Sequence, residues 1–283
     1  MEARMLHVYR NTPYGRETLL CSAHFCKKLD LTLRVYIPRH RKFLIYFPNE
    51  AMQVDLDSSY MASPDTAEER VRELLDESGA RYDILDKPGF TASNLPDLPA
   101  DYDFMACPRV MSEKPATIAL GKIGNRVRAL LKTATFPILL HASVCKPWKS
   151  VAVLFGGSEN GIRSVRLGAR VARLCGCPLD VFTQADKPRQ RDKVEKAIDK
   201  AGLRTIFDYE VRRWHVFESG DLEENLYAVP HDSLVTLGAY GHGFIKDNWF
   251  GSVMELVQST MPNAMLVAGP NFVVPDTDEE AAH

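Results

Sequence analysis

The sequence predicts an α/β protein built from two consecutive copies of one unit, each a mostly parallel sheet with helices on both faces. Short β-branched apolar runs alternate with helical stretches along the chain, a pattern that buries parallel strands between layers of helix. The strand, glycine turn and helix at the start recur 146 residues later, which carries Gly15 to Gly161, Ala23 to Ala169 and Val35 to Val181. A glycine-rich loop, LGAYGHGFIKDNWFGSV over residues 237–253, stands between a strand and a helix.

Residues 5–9 read as the first strand, followed by a turn at 11–15, a helix over about 16–28 and a strand over 31–37. Residues 41–61 hold two apolar runs, 43–47 and 52–56, that either extend the sheet or lie across its mouth. A helix over 67–79 and a strand over 103–106 come next, and Gly124-Asn125 opens a helix before the strand 138–140. Pro147 and its polar neighbours in residues 143–150 mark the linker, which divides the chain into domains at 1–145 and 150–272.

The second copy has a strand over 151–155, a turn at 156–161, a helix over 162–174 and a strand over 179–182. A helix over 194–202, the strand 233–237 and a final apolar strand over 264–268 complete it. Between Gly124 and Gly251 the repeat spacing falls to 127, so the first copy carries 19 extra residues before that point, and 41–61 supplies them. The two final strands, 137–140 and 264–268, would leave bare apolar sheet edges unless they met, so the halves are expected to pack as an intramolecular pseudo-twofold pair.

The glycine-rich loop carries the functional signal. Gly238 stands where its strand must turn, and glycines at 238, 241, 243 and 251 let backbone amides approach a ligand closely. Ser252-Val-Met-Glu255 has the form of a capping box, with Val253, Leu256 and Val257 following at helical spacing until Pro262. The N–H groups and dipole at such a helix start favour an anion, which makes the loop a phosphate cradle. Ser252 caps its helix with or without a phosphate. Tyr240 and His242 flank Gly241 as candidate phosphate or ribose contacts, though neither has an acid or base partner visible in the sequence; Lys246 either offsets phosphate charge or is a solvated loop lysine, and Trp249 and Phe250 read as packing rather than base-stacking groups.

Gly238-x2-Gly241-x9-Gly251-Ser252, followed by Val253, resembles the G-2x-G-9x-G-(S/T) motif of ATP-binding universal stress proteins. The resemblance covers nearly the whole chain as two tandem copies, strong in the second and faint in the first. It implies two domains of that kind, each an open, mostly parallel five-stranded sheet. It also implies a site for ATP, AMP or ADP, with or without magnesium, at Phe155, Gly156, Thr183, Gly238, Tyr240, Gly241, Gly251, Ser252 and Val253. The role implied is that of a stress-response sensor or adaptor.

Both copies depart from the family pattern. Members that bind nucleotide usually end their first strand in an aspartate that meets the adenine or ribose, and here Gly156 takes that place. Polar recognition then falls to backbone groups near Phe155, Gly156 and Thr183, and Ser158 caps the following helix. In the first copy Met111 and Lys114 replace the loop glycines, which predicts a structural partner without a nucleotide. A nucleotide-free interaction module and a binder of another phosphorylated ligand stay open as alternatives.

Composition narrows the remaining classes. A net charge of −2, with 45% hydrophobic and 25% charged residues, suits a protein with a sizeable core and leaves no basic face for nucleic acid. No apolar run is long enough to span a bilayer and residues 1–10 lack a signal-peptide core, so the expected location is cytoplasmic. Six cysteines at 21, 26, 107, 145, 175 and 177 form no CxxC pair and read as reduced and structural. No GxSxG, HExxH or Walker A sequence points to an enzyme, and slow ATP hydrolysis is the lesser expectation. No residue specifies whether whole chains assemble further into homodimers.

Overall fold

The computed structural model describes residues 2–48, 50–85, 89–91, 94–109, 124–142, 144–239 and 250–274. The first half runs β1 (Arg4–Val8), α1 (Pro13–Leu29), β2 (Thr32–Tyr36), β3 (Lys42–Phe47), β4 (Glu50–Asp55), α2 (Pro64–Ser78), β5 (Tyr82–Ile84), β6 (Gly89–Phe90), β7 (Pro96–Pro99), β8 (Phe104–Cys107), α3 (Asn125–Thr133) and β9 (Ile138–Leu140). The second runs β10 (Ser150–Leu154), α4 (Glu159–Cys175), β11 (Leu179–Gln184), α5 (Pro188–Lys200), β12 (Val211–Phe217), α6 (Leu222–Leu226), β13 (Ser233–Gly238), α7 (Phe250–Thr260) and β14 (Met265–Ala268).

Ten of these strands form one sheet in the order β12-β11-β10-β13-β14-β9-β8-β1-β2-β5. Each half contributes five, and within each half the main-sheet neighbours run parallel. The halves join where β14 and β9 pair antiparallel, with Leu266 opposite Leu139. Every residue of these two strands is buried, and their pairing leaves neither as an exposed apolar edge. The outer edges are managed differently: β5 is three residues long, and β12 carries Arg212 and Arg213.

Alternation along the strands splits the core in two. On one face Met5, Leu33, Phe104, Leu139, Val151 and Val181 pack against α1, α2, α4 and α5. On the other, Leu6, Met105, Ile138, Val235 and Met265 meet apolar residues of α3, α6 and α7. That second face also receives a small four-stranded sheet of order β4-β3-β7-β6. Residues 41–61 supply its hairpin, so they do not extend the main sheet but pack over its second face. Phe43 sits edge-on to Tyr36 at 5.4 Å between centroids, and Phe47 lies 5.7 Å from Phe136. The alternating burial of β3, with Phe43, Ile45 and Phe47 buried, makes it a one-faced strand that must lie on apolar surface.

Several helices start earlier than their hydrophobic periodicity predicts. Thr12 caps α1 by accepting from the Gly15 N–H at 3.1 Å, and Pro13 occupies the first turn, where its missing N–H costs nothing. Gly15 therefore lies inside the helix, where an added Cβ would meet the Arg10 carbonyl oxygen at 1.8 Å. Ser158 caps α4 as expected, accepting from the Gly161 N–H at 3.1 Å. The start of α5 at Pro188 adds a polar turn with no apolar stripe.

Candidate functional site

The carboxyl ends of β10, β11 and β13 lie side by side, because these strands are parallel neighbours around β10. In open parallel sheets this edge is where ligands bind. Phe155 and Gly156 follow β10 there, Thr183 stands near the end of β11, and Gly238 closes β13. Tyr240 and Gly241 lie outside the described residues, as do His242 and Lys246. Gly251, Ser252 and Val253 fall in the first turn of α7, which begins at Phe250. The expected start at Ser252 is thus two residues late, and Ser252 does not occupy the N-cap position. The leading N–H groups of a helix have no intrahelical partner, so the first turn retains donors for an anion.

The described groups contribute shape more than polar recognition. Phe155 is buried and lies 5.9 Å from Phe207 between ring centroids. Thr183 is also buried, and its hydroxyl accepts from Trp214 Nε1 at 2.9 Å. Gly156 is half-buried and has no side chain to offer. Gly157 adopts φ +74, and an added Cβ would approach Val194 Cα at 3.3 Å, so this turn requires glycine on two counts.

Gly238 is the last residue of β13, paired with Ala268, rather than the point where the chain turns. A Cβ there would come within 2.3 Å of the Asn160 carbonyl carbon. The amino end of α4 is therefore pressed against the end of β13. Asn160 secures the junction: it is buried, its Nδ2 donates to the Ala239 carbonyl, and its Oδ1 accepts from Arg163 at 2.6 Å. Sequence reasoning missed Asn160, although an asparagine in a first helical turn beside glycine is the signal that could have found it.

The equivalent edge of the first half is filled by its own side chains. Arg10 corresponds to Gly156 in the 146-residue repeat and is buried. Its guanidinium lies 5.3 Å from the Tyr14 ring centroid and 5.2 Å from that of Tyr60, a cation–π arrangement. Tyr60 comes from a single 3-10 turn, Ser58–Met61, next to the inserted hairpin, and Arg10 Nη1 also reaches Ser59 Oγ at 3.4 Å. Burial pushes the Tyr60 hydroxyl above its ordinary range. Met111 and Lys114 lie outside the described residues.

No protein-family model matches this chain, and no curated protein matches it. Solved structures do. A universal stress protein from Archaeoglobus fulgidus covers 94% of this chain and 98% of its own, with a TM-score of 0.62 at 16% identity. A candidate universal stress protein from Pseudomonas aeruginosa covers 95% and 94%, with a TM-score of 0.54 at 14% identity. The cytoplasmic domain of a prokaryotic cation chloride cotransporter covers 95% and 96%, with a TM-score of 0.50 at 9% identity. The architecture is therefore that of universal stress proteins in tandem. At these identities the likeness is one of fold. Among the described residues no helix is long and apolar enough to cross a membrane, and no cluster of ligating side chains is arranged for a metal.

Proposed function

We propose that the chain is a tandem universal stress protein that binds ATP or a related adenine nucleotide in its second half and acts in the cytoplasm as a sensor or adaptor. The observation that carries this reading is the Gly238-x2-Gly241-x9-Gly251-Ser252 motif, spanning from the end of β13 to the first turn of α7. That position puts glycine flexibility and unpaired helix N–H groups at the edge where parallel sheets bind ligands. The β9–β14 seam does within one chain what a dimer interface does between two. The nucleotide is bound without turnover.

Mass spectrometry of small molecules released from freshly purified protein, followed by calorimetric titration with ATP, ADP and AMP with and without magnesium, tests the reading. Binding that disappears in Gly241→Trp while circular dichroism is unchanged supports it. Phosphate release from Mg-ATP above the rate of Gly241→Trp would make the protein an enzyme instead.

A second reading is a nucleotide-free interaction module. It draws on the occupied Thr183 hydroxyl and on Gly238, whose lack of a side chain is already required by α4. A binder of a different phosphorylated ligand follows from Gly156 standing where the family's aspartate would be. Failure of all three nucleotides in the titration favours the module, and recovery of another phosphate compound from the purified protein favours the other ligand.

A further inference from the structure

The connection between β9 and β10 is held against α1 at two points. The Cys145 N–H donates to Glu17 Oε1 at 2.8 Å, and Lys28 Nζ donates to the Trp148 carbonyl at 2.8 Å while lying 4.4 Å from that ring's centroid. Glu17 precedes Cys21 by four residues on α1, so the two share a helix face. The bond to Glu17 therefore sets Cys145 beside Cys21. Both cysteines are half-buried, and both line one cavity of about 130 Å³ with His24, His141, Trp148 and His231. A water molecule takes up roughly 30 Å³, so a small oxidant fits.

We propose that Cys21 and Cys145 are a peroxide-reactive dithiol, converted by hydrogen peroxide to an intramolecular disulfide that fastens the connection between the halves to α1.

The two thiols differ in the way such chemistry requires. The Cys21 thiol lowers Cys145 below the usual thiol range, against the opposing effects of burial and Glu17. Cys21 is raised, first by Cys145 and then by burial. Of the two, Cys145 is thus the one that ionises more readily and serves as the nucleophile, while Cys21 holds its proton more tightly. The Cys145 sulfur attacks one peroxide oxygen and the O–O bond breaks. The departing hydroxide takes up the proton that Cys145 released and leaves as water, so Cys145 becomes a sulfenic acid. The Cys21 sulfur then attacks the Cys145 sulfur, the S–S bond forms, and the S–O bond breaks. The leaving hydroxide carries off the Cys21 proton as a second water.

None of the other four cysteines lines this cavity, although Cys175 and Cys177 also meet through their thiols. Cys26 and Cys107 are fully buried, and burial pushes both thiols up. The Cys175 thiol donates to the Ala172 carbonyl at 3.6 Å and is pushed up to about 12, first by burial, while the Cys177 thiol donates to the Cys175 carbonyl at 3.5 Å. Residues 144–149 have no regular secondary structure, so no helix or strand at Cys145 has to break for the sulfurs to reach bonding distance.

The full chain is treated with hydrogen peroxide, denatured in an alkylating agent, digested and analysed by mass spectrometry. A linked Cys21–Cys145 peptide, lighter than its two parts by two hydrogens, is expected, with the other four cysteines alkylated. In Cys21→Ser, Cys145 should stop at the sulfenic acid and be captured by dimedone. In Cys145→Ser, Cys21 should stay a thiol. Alkylation of both Cys21 and Cys145 after treatment of the wild type, or a disulfide between any other pair, overturns the proposal, and this wild-type result decides even where a variant does not fold.

Discussion

Arg109, two residues past the end of the first half's β8, donates from Nη1 to the Gln258 carbonyl in the second half's α7 at 2.9 Å. Its Nη2 reaches the carbonyls of Asn263 at 2.8 Å and Met261 at 3.4 Å, and its Nε reaches His141 at 3.1 Å. The carbonyl end of a helix carries partial negative charge and unpaired acceptors. A buried guanidinium with five donors in a fixed fork meets that need. The helix whose first turn contains Gly251 and Ser252 is therefore anchored at its other end by the opposite half of the molecule.

Arg109→Met should destabilise the protein by about 3 kcal/mol, since charged hydrogen bonds contribute about 1.5–3 kcal/mol and stranded buried acceptors cost more. Arg109→Lys should recover less than half of this, because an ammonium cannot span the same carbonyls. Urea denaturation of the three proteins measures both. A midpoint unchanged in Arg109→Met would show that α7 needs no anchor from the first half.

Acid should weaken the fold through two histidines. His7 Nδ1 and His141 Nε2 both meet Ser22 Oγ, at 2.9 and 3.3 Å, and Ser22 gives its own proton to the Thr18 carbonyl at 3.1 Å. Each histidine therefore donates to Ser22 as a neutral ring, and among the described residues the second nitrogen of each has no partner. Burial, and then His141, holds His7 well below its ordinary range, while burial, and then Arg109, lowers His141 to about 3. With the folded values below the unfolded value of about 6.5, the unfolded chain binds protons first. Stability is fully present above about pH 6.5 and is lost as pH falls toward 3, by on the order of 1 kcal/mol per pH unit for each histidine. The double variant His7→Asn/His141→Gln should flatten this acid limb, as followed by melting temperature against pH.

The fold was legible where burial imposes periodicity, and less so where other forces decide. β10, β13 and β14 are apolar on both faces and sit close to the stretches read from sequence, because strands covered by helices on both sides have little use for polar residues. β12, with the sequence VRRWHVF, escaped notice: it is an edge strand whose arginines face outward, and Arg212 pairs there with the buried Asp180. The hairpin of β3 and β4 was visible as strands, but its partner β7 contains Pro96 and Pro99, which mask a strand in sequence. At the site, the motif located the edge, while the contacts of Asn160 and Trp214 span 79 and 31 residues and leave no local pattern.

Gly238 gives a test of packing that needs no ligand. Gly238→Ala places a Cβ 2.3 Å from the Asn160 carbonyl carbon, a backbone atom that cannot swing aside. The amino end of α4 must then move away from β13, at a cost of about 1–3 kcal/mol, the range for overpacking. The melting temperature should fall even in a nucleotide-free preparation. Gly241→Trp, by contrast, is expected to keep the wild-type melting temperature.

The last prediction concerns stoichiometry and rests on the proposed function. In the first half, Arg10 and Tyr60 fill the edge that corresponds to the one at the ends of β10 and β13, so each chain should bind one nucleotide. Tyr60→Ala removes a buried aromatic ring and should cost about 3–5 kcal/mol. It should not create a second site, because the first half has Met111 and Lys114 where a cradle needs glycine. Ser252→Ala separates the two roles of its residue. With α7 beginning at Phe250, the substitution removes no N-cap, so binding should weaken while stability changes by less than the ~1 kcal/mol of a lost cap. Calorimetric titration of wild type, Tyr60→Ala and Ser252→Ala, with denaturation of each, reads both quantities. Two equivalent sites in the wild type would mean that the first half is not closed by its own side chains, and unchanged affinity in Ser252→Ala would move the phosphate away from the first turn of α7.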